Sequence, residues 1–367
     1  DTVRLVPVSP DDADALNRAR EKRLTAALDG TAIVVRPEPP IAPVVATTPR
    51  PLIVVPATQT LPELKVRRDG DHHVLAELGP AVLDLRVRVT VHLLARAITE
   101  SAPDGVVEMV EGVRSLLCAV DERRLPLNDL AERLAVAYRA LPDPSTATLP
   151  SREVVLPLSL DDPQAVEAMR RYEVSVRADA PWCPDNVEFI RRVNGLERRD
   201  EVFDIVTSAS YLVVGLGDVY LGAPVAVPLD PRHRLVTTKY DPARTWTPEN
   251  AVGIGGVYLC IYGMEGPGGY QLVGRTVPVW RLTGDDESPW LLRLFDRLRF
   301  EPVSPEELLE LRAAIASGER GLDTLPTTFS LAEAEDIAAL HETEIAQFLA
   351  TRDGSFAEER ARWALKS

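Results

Sequence analysis

The sequence predicts an α+β protein with a small α/β domain at 65–148, a β-barrel or β-sandwich at 149–282 and a helical C-terminal extension at 283–367. Three observations lead to this prediction. The first region mixes strand-like and helix-like apolar spacing, the second alternates short apolar runs with Gly and Pro turns, and the third returns to helical spacing. Eleven of the 21 glycines fall between positions 215 and 274, where turns must therefore be frequent.

Apolar spacing in the small domain predicts alternating strands and helices. The predicted strands are 74–85, 87–91, 106–110 and 115–120. The predicted helices are 92–99 and 127–141, and the second begins after a possible N-cap at Asn128.

Short apolar runs in the second region predict a barrel or a sandwich of many strands. The strand-like runs are 154–158, 211–215, 225–227, 257–261 and 271–273, with helices expected at 163–172 and 187–193. Helical spacing in the extension covers 290–297, 305–317, 331–352 and a last stretch around 356–365, and most of its acids and arginines read as solvated faces.

A proline-rich segment at 37–64 predicts a semi-rigid linker, because proline restricts itself and the preceding residue to extended conformations. It separates a piece, 1–36, that is too short to bury a core alone. RLVPVSPDD at 4–12 aligns with RFEPVSPEE at 299–307, and in both a serine precedes proline as a helix N-cap. We interpret 1–36 as the tail of a preceding module. The alternative is that Ser-Pro-acid-acid is simply a common helix start.

Composition limits the classes of function. Hydrophobic residues make up 45 % of the 367 positions and charged residues 26 %, which is typical of globular proteins. The net charge of −15 argues against a nucleic acid or an anionic membrane as the main partner. Three cysteines without metal-type spacing, no membrane-spanning apolar run and no signal pattern predict a cytoplasmic protein without a metal site.

The dense polar block at 179–280 is the most informative part of the sequence. Arginine, lysine, histidine, asparagine and tyrosine stand there among glycines and prolines, and glycines let a backbone approach a ligand closely. Arg232, Arg244 and Arg275 could hold a carboxylate, because guanidinium groups bind carboxylates through paired N–H donors. Asn250 and Gln271 could recognise an amide or a urea-like group. The block therefore predicts an anionic or amide ligand.

Three long strings in this block resemble the carboxyltransferase region of urea carboxylase, the biotin-dependent part of urea amidolyase. They are GLGDVYLGAP, PLDPRHRLVTTKYDPARTWTPENAVGIGG and IYGMEGPGGYQLVGRT. The resemblance extends over roughly residues 65–365. Residues 65–282 are also similar to allophanate hydrolase subunit 1 and to the B subunit of bacterial 5-oxoprolinase. These relatives imply a small α/β domain followed by a cyclophilin-like β-barrel, and 1–36 looks like the end of a subunit-2-like half.

The resemblance implies a carboxyl transfer in which carboxybiotin gives its carboxyl group to a nitrogen of urea and allophanate forms. It also implies four partners: a biotin carboxylase domain, a biotin carrier domain, the subunit-2-like half and urea or guanidine. The three methionines have no lysine beside them, so we expect biotin on a separate carrier domain rather than on this chain. Without the subunit-2-like half, we expect the chain to be inactive or nearly so.

The candidate catalytic residues are Asp218, His233, Lys239 and Arg275. The resemblance implies that Asp218 contacts acceptor nitrogens or moves a proton, although it could merely cap its own turn. His233 and Arg232 could bind the carboxyl group, or Arg232 could form a structural pair with Asp230. Lys239 could serve as a cation for carboxybiotin or as an ordinary surface lysine.

The candidate substrate-binding residues are Arg232, Arg244, Asn250, Tyr262, Glu265, Gly268, Gly269 and Gln271. Asn250 and Tyr262 could equally make structural hydrogen bonds, and 265–269 could be a tight turn instead of a ligand loop. Gln271 and Arg275 share one face if they lie on a single strand. Asn186 is more readily explained as a helix N-cap.

Three alternatives to a urea carboxylase component stay open at this stage. They are a guanidine carboxylase, a 5-oxoprolinase subunit and a non-catalytic interaction module like the kinase-inhibiting relatives of the subunit-1 family. The retained polar block argues against the interaction module, because a binding module would not require that loop chemistry.

Overall fold

The computed structural model describes residues 8–29, 50–217, 222–281 and 289–364. The chain divides into two compact units, Asp1–Leu141 and Pro142–Ser367. Strands and helices are both abundant in the described residues, so the predicted mixture of α and β structure is confirmed.

The first unit contains an antiparallel sheet with the strand order β1-β2-β3-β5-β4. Its elements are α1 (Pro10–Leu28), β1 (Ile53–Val55), β2 (Leu64–Arg68), β3 (His73–Leu78), α2 (Leu85–Ser101), β4 (Val106–Glu111), β5 (Ser115–Val120) and α3 (Leu127–Arg139). Alternate residues of β3 and β5 are buried, as expected for strands with one face against a core. The apolar residues of α2 and α3 pack on this face.

Three local predictions in this unit are wrong at least in part. The strand predicted at 74–85 ends at Leu78, and α2 already begins at Leu85. Residues 87–91 form the first turns of α2 rather than a strand, because the side chain of Asp84 accepts hydrogen bonds from the N–H groups of Arg86 and Val87 and starts the helix. Asn128 is not a cap either, since α3 begins at Leu127 after Pro126. Strand β1 lies within the span expected to be linker, whereas 37–49 lies outside the described residues.

The second unit is built on a sheet with the order β13-β10-β11-β8-β7-β14-β6-β15, in which β13 also pairs with β6. The elements up to residue 281 are β6 (Thr148–Leu160), α4 (Pro163–Ser175), α5 (Asn186–Asn194), α6 (Asp200–Ser208), β7 (Tyr211–Leu216), β8 (Pro224–Pro228), β9 (Arg244–Thr247), β10 (Ala251–Gly255), β11 (Tyr258–Ile261), β12 (Gly266–Gly268) and β13 (Gln271–Arg275). Strands β9 and β12 form a separate two-stranded ribbon.

The region after residue 289 is mixed rather than purely helical. It contains β14 (Arg297–Pro302), α7 (Pro305–Ser317), β15 (Asp323–Ser330), α8 (Leu331–Leu340) and α9 (Glu342–Ala364). Strand β6 pairs with β14 in parallel and with β15 in antiparallel orientation, so this region completes the large sheet. The predicted helix at 290–297 is wrong, because Asp296 is buried there in an ion pair with Arg152 at 2.5 Å.

Both predicted serine caps are present. The Oγ of Ser9 accepts a hydrogen bond from the N–H of Asp12 at 3.2 Å, and the Oγ of Ser304 accepts one from Glu307 at 3.1 Å. Helices α1 and α7 therefore begin in the same way. Within the described ranges, no helix has both the length and the apolar character that a membrane crossing requires.

Candidate active site

The turn between β9 and β10 places a carboxylate and an amide beside two arginines. The carboxylate of Glu249 contacts the guanidinium of Arg312 on α7, and its Oε1 lies 3.5 Å from a nitrogen of Arg275 on β13. The Nε of Arg275 also donates to the backbone carbonyl of Glu249 at 2.9 Å. Asn250 accepts a hydrogen bond from Arg312 through its Oδ1 at 2.7 Å. We call these four residues the Glu249 cluster.

The backbone holds this turn in one conformation. Asn250 has a φ of 58°, in the left-handed region that asparagine adopts more readily than most residues. Its N–H donates to the carbonyl of Tyr262 at 2.6 Å, and its own carbonyl accepts from the N–H of Thr276 at 2.9 Å. The backbone of Asn250 is therefore tied to the residues that follow β11 and β13, and the Glu249 carboxylate is held by Arg275 and Arg312.

The Glu249 cluster carries one negative and two positive side chains. Burial, followed by the neighbouring charge of Arg275, lowers the pKa of Arg312 to about 10, so Arg312 remains protonated at neutral pH. About half of the Glu249 side chain is exposed, whereas Arg312 is only 8 % exposed. The excess positive charge favours an anionic ligand at this position.

A cleft of about 470 Å³ opens beside the cluster. Its lining residues are Glu249, Asn250, Gly263, Pro278, Trp280, Arg281, Leu309, Arg312, Ala313 and Ala316. The indole N–H of Trp280 donates to the carbonyl of Gly263 at 2.5 Å, which fixes one wall of the cleft. The cleft therefore combines an aromatic side chain with a half-exposed carboxylate. Asn250 is 1 % exposed, and its side chain accepts from Arg312 and donates to the carbonyl of Tyr262, so it makes structural hydrogen bonds.

A second group of predicted residues surrounds Arg244, which is 1 % exposed. Arg244 donates to the carbonyl of Tyr270 at 2.7 Å and to the Oγ1 of Thr247 at 3.3 Å, and its guanidinium lies 4.3 Å from the ring centre of Tyr240. Among the described residues, no carboxylate forms an ion pair with Arg244, and its second terminal nitrogen has no hydrogen-bond partner. Buried arginines are normally paired, so this one is unusual.

The glycine-rich loop packs directly on this group. A Cβ at Gly268 would lie 2.6 Å from the Oγ1 of Thr247 and 2.6 Å from the hydroxyl of Tyr262, so only glycine fits. The hydroxyl of Tyr262 in turn accepts from the N–H of Tyr270 at 3.2 Å. The carbonyl of Gly269 accepts from the N–H of Tyr240 at 2.6 Å. The loop is thereby held against the Arg244 group.

The two remaining residues of this region differ in exposure. Lys239 is exposed, with its ammonium 4.8 Å above the ring of Tyr270. Gln271 is fully buried and donates to the carbonyl of Thr238 at 3.0 Å. Gln271 therefore does not join the Glu249 cluster, although Arg275 on the same strand does.

Arg232 and His233 lie in a different environment. Arg232 forms an ion pair with Asp230 at 2.6 Å and contacts Glu344 of α9, so the structural pair that the sequence left open is present. Its guanidinium also lies 3.0 Å from the Nδ1 of His341. Burial lowers the pKa of His233, which favours the neutral ring at pH 7. These contacts connect α9 to the strand region rather than forming part of the cleft.

Three further predictions have separate outcomes. Asp218 lies outside the described residues, and Glu265 is exposed. Asn186 is not the N-cap of α5, because Asp185 accepts the capping hydrogen bonds from Val187 and Glu188. Asn186 is instead buried, and its Oδ1 accepts from the N–H of Leu272 at 2.8 Å.

Sequence reasoning missed Glu249, Trp280 and Arg312. Glu249 stands beside Asn250 in the TPEN string, but an acid before an asparagine in a turn carries no distinctive signal. Arg312 occupies the buried stripe of α7 between Leu308 and Ile315. A charged residue at a buried helical position is a detectable signal, because such residues are rarely buried without a partner.

Comparison with known proteins gives consistent similarities. The family described as "Carboxyltransferase domain, subdomain C and D" matches residues 64–292. Urea amidolyase of Saccharomyces cerevisiae is 37% identical over 313 residues, which is 84% of this chain. The crystal structure of the K. lactis urea amidolyase has a TM-score of 0.82 at 34% identity and covers 96% of this chain. That of the Kluyveromyces lactis urea carboxylase has a TM-score of 0.81 at 33% identity and the same 96% coverage.

The three relatives named above are much longer than this chain. The chain spans 17% of the S. cerevisiae urea amidolyase, 22% of the K. lactis urea amidolyase and 32% of the K. lactis urea carboxylase. The similarity therefore concerns one region of large proteins that have additional parts.

Proposed function

The chain belongs to the family described as "Carboxyltransferase domain, subdomain C and D", and we propose that it is the carboxyltransferase part of a biotin-dependent urea carboxylase. In this reaction a carboxyl group moves to a nitrogen of urea and gives allophanate. The observation that carries the proposal is the Glu249 cluster, where a carboxylate, an amide and two guanidinium groups meet beside a cleft.

The groups at the cleft suit the two molecules that must meet there. The N–H donors of a guanidinium such as Arg275 match the oxygens of a carboxylate. The carboxylate of Glu249 can accept N–H groups from urea, and the Trp280 ring offers a flat wall for a planar molecule. Carboxybiotin, when bound, would supply the carboxyl group and a ureido nitrogen able to take up a proton, and Arg275 would hold its carboxylate oxygens. The residues present therefore fit this cofactor.

The residues of the Glu249 cluster then have distinct tasks. Arg275 holds the carboxyl group and disperses its negative charge while the bond to the acceptor forms. Glu249 orients the acceptor so that its nitrogen lone pair points at the carboxyl carbon. Asn250 keeps Glu249 in place through the turn. The carboxyl carbon would exchange its bond to the donor nitrogen for a new bond to the acceptor nitrogen. The donor nitrogen would keep the electron pair of the broken bond, and the proton lost by the acceptor nitrogen would pass to it directly or by way of Asp218.

We assign supporting roles to the residues around Arg244. Lys239 is the exposed cation that could meet the carboxylate of an approaching carboxybiotin. Arg244, Tyr262 and Gly268 hold the loop that ends at Gly269 against the ribbon of β9 and β12. Gln271 holds Thr238, which precedes Lys239.

The proposal includes partners outside this chain. A biotin carboxylase domain loads the biotin of a carrier domain, and a subunit-2-like half contributes to the transfer site. Strand β13 pairs with β10 and also with β6, so seven of the eight strands close into a ring that leaves β15 outside, which supports the cyclophilin-like β-barrel as the fold of this region. Urea and guanidine both present planar N–H groups to Glu249, so the acceptor is tested with both.

The test is carboxyl transfer in the enzyme assembled with its biotin carboxylase, carrier and subunit-2-like parts. Glu249→Gln and Arg275→Met should each lower acceptor-dependent turnover about 100-fold, the typical effect of removing one transition-state contact. ATP-dependent carboxylation of biotin should be unchanged, because it occurs elsewhere. Arg320→Met, at an exposed arginine that pairs with Asp323, is the matched control. Full transfer in both cluster variants would refute the site.

A further inference from the structure

Helix α7 reaches the Glu249 cluster from outside the segment that matches the family. The match ends at residue 292, whereas Arg312 lies in α7 (Pro305–Ser317). We infer that Arg312 is a positioning residue for carboxyl transfer, so that the C-terminal region completes the site. This inference rests on the proposed function and assigns part of that site to a region beyond the family match.

All of the acceptors that Arg312 contacts belong to the two segments that border the cleft. One terminal nitrogen donates to Asn250 Oδ1 and to the carbonyl of Thr276, each at 2.7 Å, and the other contacts the Glu249 carboxylate. A single guanidinium thus joins the acidic turn to the end of β13, where Arg275 lies. Its planar fork can hold three acceptors in fixed directions, which an ammonium group cannot do.

Packing alone does not explain an arginine at this position. Leu308 and Ile315 bury the same stripe of α7, and an apolar residue between them would stabilise the helix interface without a desolvation cost.

Charge explains why the arginine matters at the cluster. Glu249 lies between Arg275 and Arg312. Two further charged residues are near: the carboxylate of Asp162 acts on Arg312, and Arg281 lines the cleft. Removing Arg312 leaves Glu249 free to pair with Arg275 alone. That pairing would draw Arg275 away from the carboxyl group and turn Glu249 away from the acceptor, so both tasks would suffer together.

The test compares Arg312→Met and Arg312→Lys in the assembled enzyme, with Arg320→Met as the control. We expect Arg312→Met to lower kcat for acceptor carboxylation about 100-fold, as misplacement by roughly 1 Å does, with a smaller change in KM. Arg312→Lys should recover part of the loss because it restores the charge. The Glu249→Gln, Arg312→Met double variant should lose little more than the worse single variant, because both residues act through one arrangement.

A second measurement on this chain separates positioning from folding. Hydrogen exchange by mass spectrometry should show faster exchange in peptides covering 248–262 of Arg312→Met, and unchanged exchange in peptides covering β3. If kcat falls only in proportion to the folded fraction, or if the two losses multiply in the double variant, the inference is overturned. If Glu249→Gln and Arg275→Met retain full transfer, the proposed site fails instead, and the two failures are distinguishable.

Discussion

Substitution of Gly268 by alanine tests how tightly the glycine-rich loop packs on the Arg244 group. The added Cβ would lie 2.6 Å from Thr247 Oγ1, from Tyr262 Cε1 and from the Tyr262 hydroxyl. Ordinary contacts between such atoms begin at about 3.5 Å, so each neighbour would need to move by roughly 1 Å. Both neighbours are buried side chains that are already hydrogen bonded.

The cost follows from what must move. Displacing Tyr262 strains its contact with the N–H of Tyr270, and displacing Thr247 strains its contact with Arg244. Overpacking of this kind costs about 1–3 kcal/mol. At roughly 2 kcal/mol, a unit of this size should melt about 4–8 °C lower. The loop should also lose its fixed position relative to Lys239, whose ammonium lies above the ring of Tyr270.

The adjacent glycine provides the matched control. A Cβ at Gly269 would meet Lys239 Cβ at 3.4 Å and the backbone of Tyr240 beyond that, which are ordinary contacts. Differential scanning calorimetry of Gly268→Ala and Gly269→Ala should therefore show a clear fall in Tm for the first and little change for the second. Equal effects of the two substitutions, or no effect of the first, would refute the packing argument.

Three further outcomes are expected. Gly354 is exposed within α9, and a Cβ added there would meet no atom within 4 Å. Because alanine loses less conformational entropy than glycine in a helix, Gly354→Ala should raise the free energy of unfolding by about 0.5–1 kcal/mol. Denaturant titrations measure this change, and a decrease would contradict the expectation. Burial raises the pKa of Asp185, but Arg199 and two backbone N–H groups lower it more, so its folded-state pKa lies below the usual value. The contribution of ionised Asp185 to the free energy of unfolding is complete above the unfolded-state pKa and is lost as pH falls through the folded-state pKa. Asp185→Asn should therefore flatten the acid side of the curve of stability against pH and lower the free energy of unfolding by about 1 kcal/mol near pH 7. An unchanged acid slope would count against this. Burial raises the pKa of the Cys118 thiol to about 12 and is the main reason that the pKa of the Cys183 thiol rises to about 11. Both thiols should therefore react slowly with a disulfide reagent at about pH 8, because the thiolate is the reactive form. Rapid labelling of either cysteine would be a contrary result.

Secondary structure was predicted best where the apolar spacing fitted only a strand or only a helix. The runs at 211–215 and 225–227 became β7 and β8, and the helix at 163–172 became α4. The strand predicted at 87–91 is wrong because alternating valines fit a strand as well as a helix. The Asp84 cap and the buried residues further along α2 favour the helix. Strand β15 was missed because it has a proline and an exposed face, and only its pairing with β6 makes it a strand.

The candidate site was predictable in composition but not in arrangement. Arg275 and Asn250 were identified from residue types, and the structure brings them together through Glu249 and Arg312. Arg312 comes from a helix 62 residues beyond Asn250, and no local pattern indicates that distance in sequence. Arg244, in contrast, was selected for its charge alone, and its deep burial beside Tyr240 could be read only from the fold.

The double pairing of β6 sets a minimum length for any shortened form of the second unit. Six residues of β14 lie along one edge of β6 and eight residues of β15 along the other. A polypeptide that stopped at residue 292, where the family match ends, would leave one edge of this 13-residue strand without β14, and the other edge paired only with β13, at Ser159 and Leu160. Edges with so few partners recruit strands from other molecules, so such a fragment should self-associate, whereas a chain that keeps β14, β15 and the packed helix α9 should self-associate less in gel filtration.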